Sequence, residues 1–567
     1  MKFNMRRRSR IRGAAMWLLL LELRTPLITL IVTYSISVLG LILIPGATHE
    51  GAAYHLSFLD AFYLVSYTAT TIGFGETPYP FTPSQKLWML FVMYSTVIAW
   101  LYAIGSVLAV LSDPAFRRLR SYQRSVSRIH GVKDPYWIVC GYGGAGSQLI
   151  RFLDQSGSRC VMIEANGARA DAAKLSDLSY ELTILIGDVA EPQTLVDAGV
   201  QRALCRGVLA LTDHDQVNLT IATNTRILAP QVAVYARSAT DANTRNLRSF
   251  DTEVVVDSFR VAARSVTQLI RRPNAYALYH ELVDPDLNQI EVVEVPAAGH
   301  WILCATGRMA ETMVEAFVRE QIPFYLVSSR SPGMQGDWSW IEGVGTEAQT
   351  LREARISEAV GIVAGTDDDG DNLSILLTAQ SENPTLITVA RRNKPTSEPV
   401  FGQGHFDCVL REGRIIAQEM YARLTTPLLH QFLGQLETMP EALVDGIIEK
   451  LNARLAGDRP ELAHFDLTLD GNEAPGVIPF LHTVMTPKLG DLLVDPGLDH
   501  PSMPLICLLL IRLNGDQVPF PGDGLPLEEG DRLLLWGAMG AHHRLHFLVR
   551  RVDLFETVLS VRHQNTT

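Results

Sequence analysis

The sequence predicts a membrane α-helical module followed by tandem α/β, Rossmann-like domains and a small α+β C-terminal lobe. Three observations carry that expectation. Two charge-free apolar runs lie close to the N-terminus, a glycine-rich loop directly follows a short apolar strand, and a second copy of the same α/β pattern stands 154 residues further on. A chain of 567 residues accommodates several domains. With 47% hydrophobic and 19% charged residues it is too apolar for an ordinary soluble enzyme and too polar for a many-helix transporter. The net charge of −12 argues against a general nucleic-acid binder.

The apolar runs are Pro26–Ile44 (19 residues) and Leu87–Leu111 (25 residues). About 20 apolar residues cross the hydrocarbon core as a helix, so each run crosses once. Arg6, Arg7, Arg8, Arg10 and Arg12 precede the first run, and Arg117, Arg118, Arg120, Arg124 and Arg128 follow the second. Positive charge collects on the cytoplasmic side, which places residues 1–24 and everything after the second crossing in the cytoplasm, on the inner side of a cell (inner) membrane. The basic start is not read as a signal peptide, because Arg24-Thr25-Pro26 leads into the next apolar run without a small-residue cleavage site. No helix repeats arginine at every third position, so no voltage sensor of the usual kind is expected.

Between the crossings, Phe58–Thr70 is too short to span and reads as a re-entrant helix, its negative C-terminal end directed at a cation. Thr71-Ile72-Gly73-Phe74-Gly75-Glu76 follows. Irregular backbone at membrane depth is tolerated only where it is buried in protein or faces water. This stretch resembles the selectivity filter of tetrameric potassium channels, with Ile72 for Val, Phe74 for Tyr and Glu76 for Asp. The resemblance implies K+ sites formed by the Thr71 hydroxyl and the carbonyls of Thr71, Ile72, Gly73 and Phe74. Gly73 and Gly75 take positive φ without steric cost, which lets successive carbonyls point the same way. Glu76 is expected to hydrogen-bond behind the loop, and Phe74 to forgo the lateral bond of the commoner Tyr. Four loops surround an ion, so a homotetramer in the lipid bilayer is expected, with residues 25–112 as its pore module.

Ser112-Asp113-Pro114 ends the second crossing and opens a basic helical linker, residues 113–133. Tyr136–Cys140 then reads as a buried strand, followed by Gly141-Tyr142-Gly143-Gly144-Ala145-Gly146, a helix over Ser147–Gln155 and a strand Cys160–Ile163 ending in Glu164. This is the dinucleotide fingerprint in its proper setting. Gly141 allows the tight turn, Gly143 lets the backbone approach a pyrophosphate, and Gly146 permits close helix–strand packing. Glu164 is placed for ribose hydroxyls and repels a 2′-phosphate, which favours NAD(H) or ATP/ADP over NADP.

Filter, linker and fingerprint together resemble prokaryotic two-helix potassium channels with tandem cytoplasmic RCK (regulator of potassium conductance, TrkA-N/TrkA-C type) domains. The resemblance implies that Asp188, Thr212, Asp213 and Arg237 line the same cleft. It also implies a first RCK domain with its crossover over residues 134–297, a second Rossmann lobe over 298–430 and a C-terminal lobe over 431–567. Within that lobe, Pro479–Val549 is expected to form an antiparallel hairpin unit and a dimerising surface. In the family the inner helix often bends at a glycine; Ala99 stands at that place here, with Gly105 six residues further on. Trp100 and Tyr102 either narrow the inner mouth or make ordinary lipid or helix contacts.

The repeat is legible residue by residue: Thr212 and Thr366 are 154 apart, as are Arg237 and Arg391. The second fingerprint is eroded. Ala305-Thr306-Gly307-Arg308-Met309-Ala310 replaces the glycine loop, and Phe324–Val327 ends in Ser328 instead of an acid, so a structural role is expected for this copy. Asp367, Asp369 and Asp371, with Asp368 among them, form the densest acidic cluster and the candidate Ca2+ site, although it lacks the EF-hand's distal Glu. Calcium-gated members of the family carry acids where this chain has Leu211, Tyr235 and Arg237. The six scattered cysteines read as reduced core residues. No nucleophile–base spacing identifies an enzyme, so a bound nucleotide is expected to regulate a ligand-gated potassium channel. Two alternatives stand beside that reading: a membrane-tethered NAD-dependent oxidoreductase, and a regulatory subunit of a potassium transporter.

Overall fold

Proline removes one helical hydrogen bond, yet the first helix runs through Pro26 without a break, from Lys2 to Leu43. In this computed structural model the described residues are 2–284, 292–296, 298–331, 333, 336, 338–425, 427–454, 462–483, 486–495 and 502–564. The side chains of the N-terminal arginines, residues 285–291 and 297 of the stretch between the two α/β copies, and residues 484–485 and 496–501 of the C-terminal lobe lie outside that description. The chain divides into two units, Met1–Ser127 and Arg128–Thr567.

In the first unit, two helices are long and apolar enough to cross a membrane, Leu23–Leu43 and Pro83–Ser112. The second starts before the charge-free run because Thr82 and Gln85 form a capping box with Pro83 at the first helical position. The Trp88 indole lies where a side chain at Gly40 would stand, and its Nε1 donates to the Ser37 carbonyl at 3.2 Å. A short helix, Phe58–Ala69, is capped by Ser57 and carries Asp60 in its first turn. Its Ala61, Leu64, Val65 and Tyr67 are buried with Val38, Leu41, Met89 and Val92 in one apolar cluster. Leu27, Ile31, Leu39, Leu87, Ile98 and Leu101 face outward and exposed, a surface that lipid would cover. The helix Pro83–Ser112 is uninterrupted at Ala99, which is buried, and at Gly105.

The second unit contains two parallel six-stranded sheets. In chain order the first has Tyr136–Cys140, Arg159–Glu164, Thr183–Ile186, Cys205–Ala210, Ala233–Ser238 and Val254–Asp257; the second has His300–Ala305, Phe324–Ser328, Ser339–Glu342, Ala359–Gly365, Ile387–Arg392 and Cys408–Arg411. Both take the spatial order 3-2-1-4-5-6, the doubly wound arrangement that places a ligand at the point where the order reverses. Their central strands are continuous apolar runs, as strands covered on both faces must be.

The helix that follows each sheet does not stay with it. Ser258–Arg271 contributes Ala262, Val266 and Leu269 to the core of the second copy. Glu412–Thr425 returns Ile416, Ala417 and Met420 to the core of the first, against Leu149 and Leu153 of the helix Gly144–Gln155. A four-stranded antiparallel sheet, in the order Leu462–Thr468, Arg532–Ala538, Leu505–Ile511, Gln517–Pro519, completes the unit. It begins before the expected Pro479, because His464 and Asp466 interrupt the apolar signature of its first strand. The five cysteines at 140, 160, 304, 408 and 507 are buried, Cys205 is half-buried, and all are free thiols.

An ion cluster pins the exchanged helices together. Glu419 accepts from Arg264 (2.6 Å), Arg423 (2.7 Å) and the Tyr279 hydroxyl (3.1 Å). Burial alone would raise its pKa, but Arg264 and Arg423 hold the carboxyl at about 2, below the ordinary 4.5. The folded value is depressed, so the stabilisation is complete above about pH 4.5 and is lost as pH falls toward 2. Glu419→Gln is expected to destabilise the second unit by about 3 kcal/mol at pH 7, leaving buried guanidinium charge uncompensated. Thermal melts of the two proteins should converge as the pH is lowered below 4.5.

Candidate functional site

The loop 71–76 is built on the end of the short helix. The Thr71 amide donates to the Thr68 carbonyl (3.0 Å), and the Ile72 and Gly73 amides share the Tyr67 carbonyl (3.0 and 3.3 Å). Positive φ falls on every second residue, with Thr71 at 61°, Gly73 at 64° and Gly75 at 73°. Positive φ is expected at the glycines; Thr71 adopts it as well despite its branched Cβ, a strained state that costs of order 1–3 kcal/mol. Behind the loop, Tyr63 donates to the Glu76 carboxylate (3.3 Å) and Tyr67 to the Glu76 carbonyl (3.1 Å). The Phe74 ring packs edge-on against Tyr67, centroids 6.0 Å apart. Neither tyrosine was singled out from the sequence; their spacing from Glu76 becomes meaningful only once the chain reverses at Thr70.

The second site is the glycine loop of the first α/β copy. Gly141 has φ +99°, and a Cβ on Gly146 would overlap the Gly141 carbonyl oxygen. The helix Gly144–Gln155 has Gly143 at its N-cap and no side-chain acceptor there. No side chain caps the amides of its first turn. Glu164 is buried, its carboxylate accepting the amides of Tyr142 (2.7 Å) and Asn166 (2.8 Å), so it shapes the loop as well as offering charge. Asp188 is exposed and accepts the Ala190 amide. The Thr212 hydroxyl is taken up by Asn218 at 2.7 Å. Arg237 is held by Asp213 (2.8 Å) and by Glu412 (2.5 Å), and Arg169 stands 3.7 Å from Asp213. Glu412 comes from the helix returned by the second copy, and only the repeat spacing could have flagged it: it occupies the place of Ser258.

That returned helix approaches the first glycine loop backbone to backbone, Gly413 against Gly144. At the second copy the equivalent position is Phe259. Its ring lies under the guanidinium groups of Arg308 (5.8 Å) and Arg391 (5.4 Å), while Arg308 is tied to Asp241 (2.9 Å) and Asp257. Ser328, where the first copy has Glu164, is buried and accepts the Trp340 indole N–H through its carbonyl.

The acidic cluster is engaged elsewhere. Asp367 pairs with Arg391 (2.7 Å), and Asp368 caps the helix Asp369–Glu382 by accepting the amides of Gly370 and Asp371. Asp369 accepts from the Ser397 hydroxyl (2.6 Å) and the amides of Asn393 and Lys394. Burial raises its pKa, and these bonds outweigh that and hold it below the usual carboxylate range. The expected Ca2+ site at Asp367, Asp369 and Asp371 is thereby corrected: among the described residues no group of three or more His, Cys, Asp or Glu is placed to hold a metal. The shared motif is a staple. Asn372 Oδ1 accepts the Thr366 amide and hydroxyl (both 2.8 Å), and its Nδ2 donates to the carbonyls of Thr366 and Arg391. Asn218 does the same with Thr212 and Arg237.

The TrkA-N domain model matches this sequence twice, over residues 137–258 and 301–412, once within each α/β copy. "Potassium channel protein 1" of Methanocaldococcus jannaschii is 23% identical over 227 residues, 40% of this chain and 66% of that relative. "Voltage-gated potassium channel Kch" of Escherichia coli is 24% identical over 202 residues, 35% of this chain and 46% of the relative. An uncharacterized protein of Methanothermus fervidus is 29% identical over 217 residues, 38% and 33% of the two chains. This chain therefore spans from about a third to about two thirds of these relatives. Among solved structures, one described as "GsuK channel bound to NAD" aligns over 97% of this chain and all of its own, at 18% identity and a TM-score of 0.46.

Asn372→Ala is expected to lower stability by about 2–3 kcal/mol, since it leaves the buried Thr366 amide without its acceptor and takes a donor from the Arg391 carbonyl, while the Thr366 carbonyl keeps Asn393 Nδ2. Asn218→Ala should act in the same direction; chemical denaturation of each variant measures the loss.

Proposed function

We propose that this chain is the subunit of a homotetrameric, potassium-selective pore in a prokaryotic cell membrane, opened or closed by a nucleotide bound to the first TrkA-N domain. The observation that carries the reading is the alternation of positive φ through Thr71, Gly73 and Gly75, in a loop that follows a short helix between two membrane-length helices. The names of the M. jannaschii and E. coli relatives support it. Four copies of the loop would replace the hydration shell of K+ with the carbonyls of Thr71, Ile72, Gly73 and Phe74 and the Thr71 hydroxyl, with Glu76 held by Tyr63 and Tyr67 behind them. The N-terminus and both TrkA-N domains lie in the cytoplasm on this reading, as the flanking arginines favour.

The nucleotide is NAD(H) or ATP/ADP. Its phosphates meet the uncapped amides at Gly144–Gly146, and its ribose meets Glu164, whose charge repels a 2′-phosphate. It acts as an effector: the reading assigns it no reacting partner. A phosphate reaching Arg237 competes with Asp213 and Glu412. Because Glu412 begins a helix that belongs in sequence to the other copy, that competition changes how the copies are joined. The nucleotide shifts opening only by its difference in affinity between open and closed states. A regulatory subunit of a transporter would have no use for the filter loop.

Reconstituted protein is expected to pass K+ in preference to Na+ in a liposome flux assay, with the flux changing on addition of NAD, NADH, ADP or ATP. Absence of flux under every effector, or a stable monomer in lipid, defeats the proposal. Gly143→Asp puts a carboxylate in the anion site at a φ of −83°, which any residue accepts. It should abolish the nucleotide response and leave K+ flux intact. Glu164→Gln keeps one of the two acceptor oxygens that the loop amides of Tyr142 and Asn166 use, and should weaken nucleotide binding about tenfold or more; unchanged affinity by calorimetry rules out this cleft.

A further inference from the structure

A cavity of about 280 Å3 lies at the junction of the exchanged helices and shares no residue with the glycine-loop cleft. Its walls come from the end of the first sheet, from the helices Ser258–Arg271 and Gly307–Arg319, and from the returned helix Glu412–Thr425. Five arginines line it: Arg248, Arg260, Arg264, Arg319 and Arg423. Three acids oppose them, Asp257, Glu315 and Glu419.

We propose that this cavity binds a small anion carrying two or more phosphate groups, and that the anion bridges the two TrkA-N copies. Within the lining five guanidinium groups face three carboxylates, while Asp241, Glu437 and Glu320 pair with Arg260, Arg264 and Arg319 from outside it. Glu419 is shared by Arg264 and Arg423, so one carboxylate serves two guanidinium groups. Arg264 gains a second acid, Glu437, at 3.2 Å; Arg423 has Glu419 alone among the described residues. Asp257 is shared between Arg260 and Arg308, and both arginines also pair with Asp241 (3.1 and 2.9 Å), so these two are compensated. The Arg248 guanidinium makes no ion pair or hydrogen bond among the described residues, and that of Arg319 pairs there only with its sequence neighbour Glu320. In this concavity the guanidinium groups with the fewest acid partners are Arg248, Arg319 and Arg423, and planar guanidinium forks match phosphate oxygens two at a time. The apolar side chains of Val261 and Ala316 complete the wall and leave room for an organic group beside the phosphates.

Glu315 is the one acid in the cavity without a partner among the described residues, so it opposes the anion and tunes its affinity. Since the walls belong to both copies, an occupant stabilises their present junction by mass action. The inference stands independently of the nucleotide assigned to the glycine loop.

The test is isothermal titration of the full-length protein in detergent with inorganic pyrophosphate and with tripolyphosphate, repeated in a Gly143→Asp background to silence the glycine loop. Saturable binding is expected in both backgrounds, weaker for orthophosphate. Arg248→Glu and Arg319→Glu, both at exposed positions, are each expected to weaken it about tenfold or more without lowering the melting temperature. Glu315→Gln is expected to tighten it. Absence of saturable binding in either background, or affinity unchanged in both charge reversals, overturns the proposal. Binding that disappears with Gly143→Asp alone overturns it as well, since the probe would then occupy the other cleft.

Discussion

A parallel sheet must be covered on both faces, and in each α/β copy part of that cover is supplied by the other copy. The apolar stripe of Ser258–Arg271 is spent on the second core and that of Glu412–Thr425 on the first. Neither copy completes its core alone, so the two behave as one cooperative body. The buried Glu419 cluster fixes the register of the exchange, because a carboxylate removed from water must meet its arginines in one geometry.

The same exchange makes two similar copies chemically unlike. One returned helix comes down on the glycine loop with Gly413, and backbone meets backbone. The other brings Phe259, whose ring sits beneath two guanidinium groups. With Arg308 in the place of Gly144 and Ser328 in the place of Glu164, the second cleft is filled by a guanidinium group and a ring where the first has glycine backbone and no side-chain cap.

In the membrane-length unit the governing constraint is different. Backbone that leaves the helix at Thr70 has to satisfy its polar groups, and part of that is done by the preceding turn through the Tyr67 carbonyl. The carbonyls that remain are oriented by alternating backbone handedness. Strain at Thr71 is tolerated because the tyrosines of the short helix anchor the far end of the loop at Glu76.

The sequence by itself determined the elements whose signal is local. Membrane-length runs, the strand–glycine loop–helix unit and the repeated Thr-Asp-x-Asp-x-x-Asn motif are each written in adjacent residues, because apolar period, glycine dihedrals and capping act over a few positions. The strands Tyr136–Cys140 and Phe324–Ser328 and the helix from Phe58 stand where periodicity put them, to within a residue. What tertiary structure alone decided is where groups distant in sequence meet. Nothing local tells Glu412 to reach Arg237 across 175 positions, or Asp369 to fold back on Ser397 when its acidic neighbours suggest a metal. An amphipathic helix records only that one face must be buried; which surface buries it is settled by the packing of the whole unit.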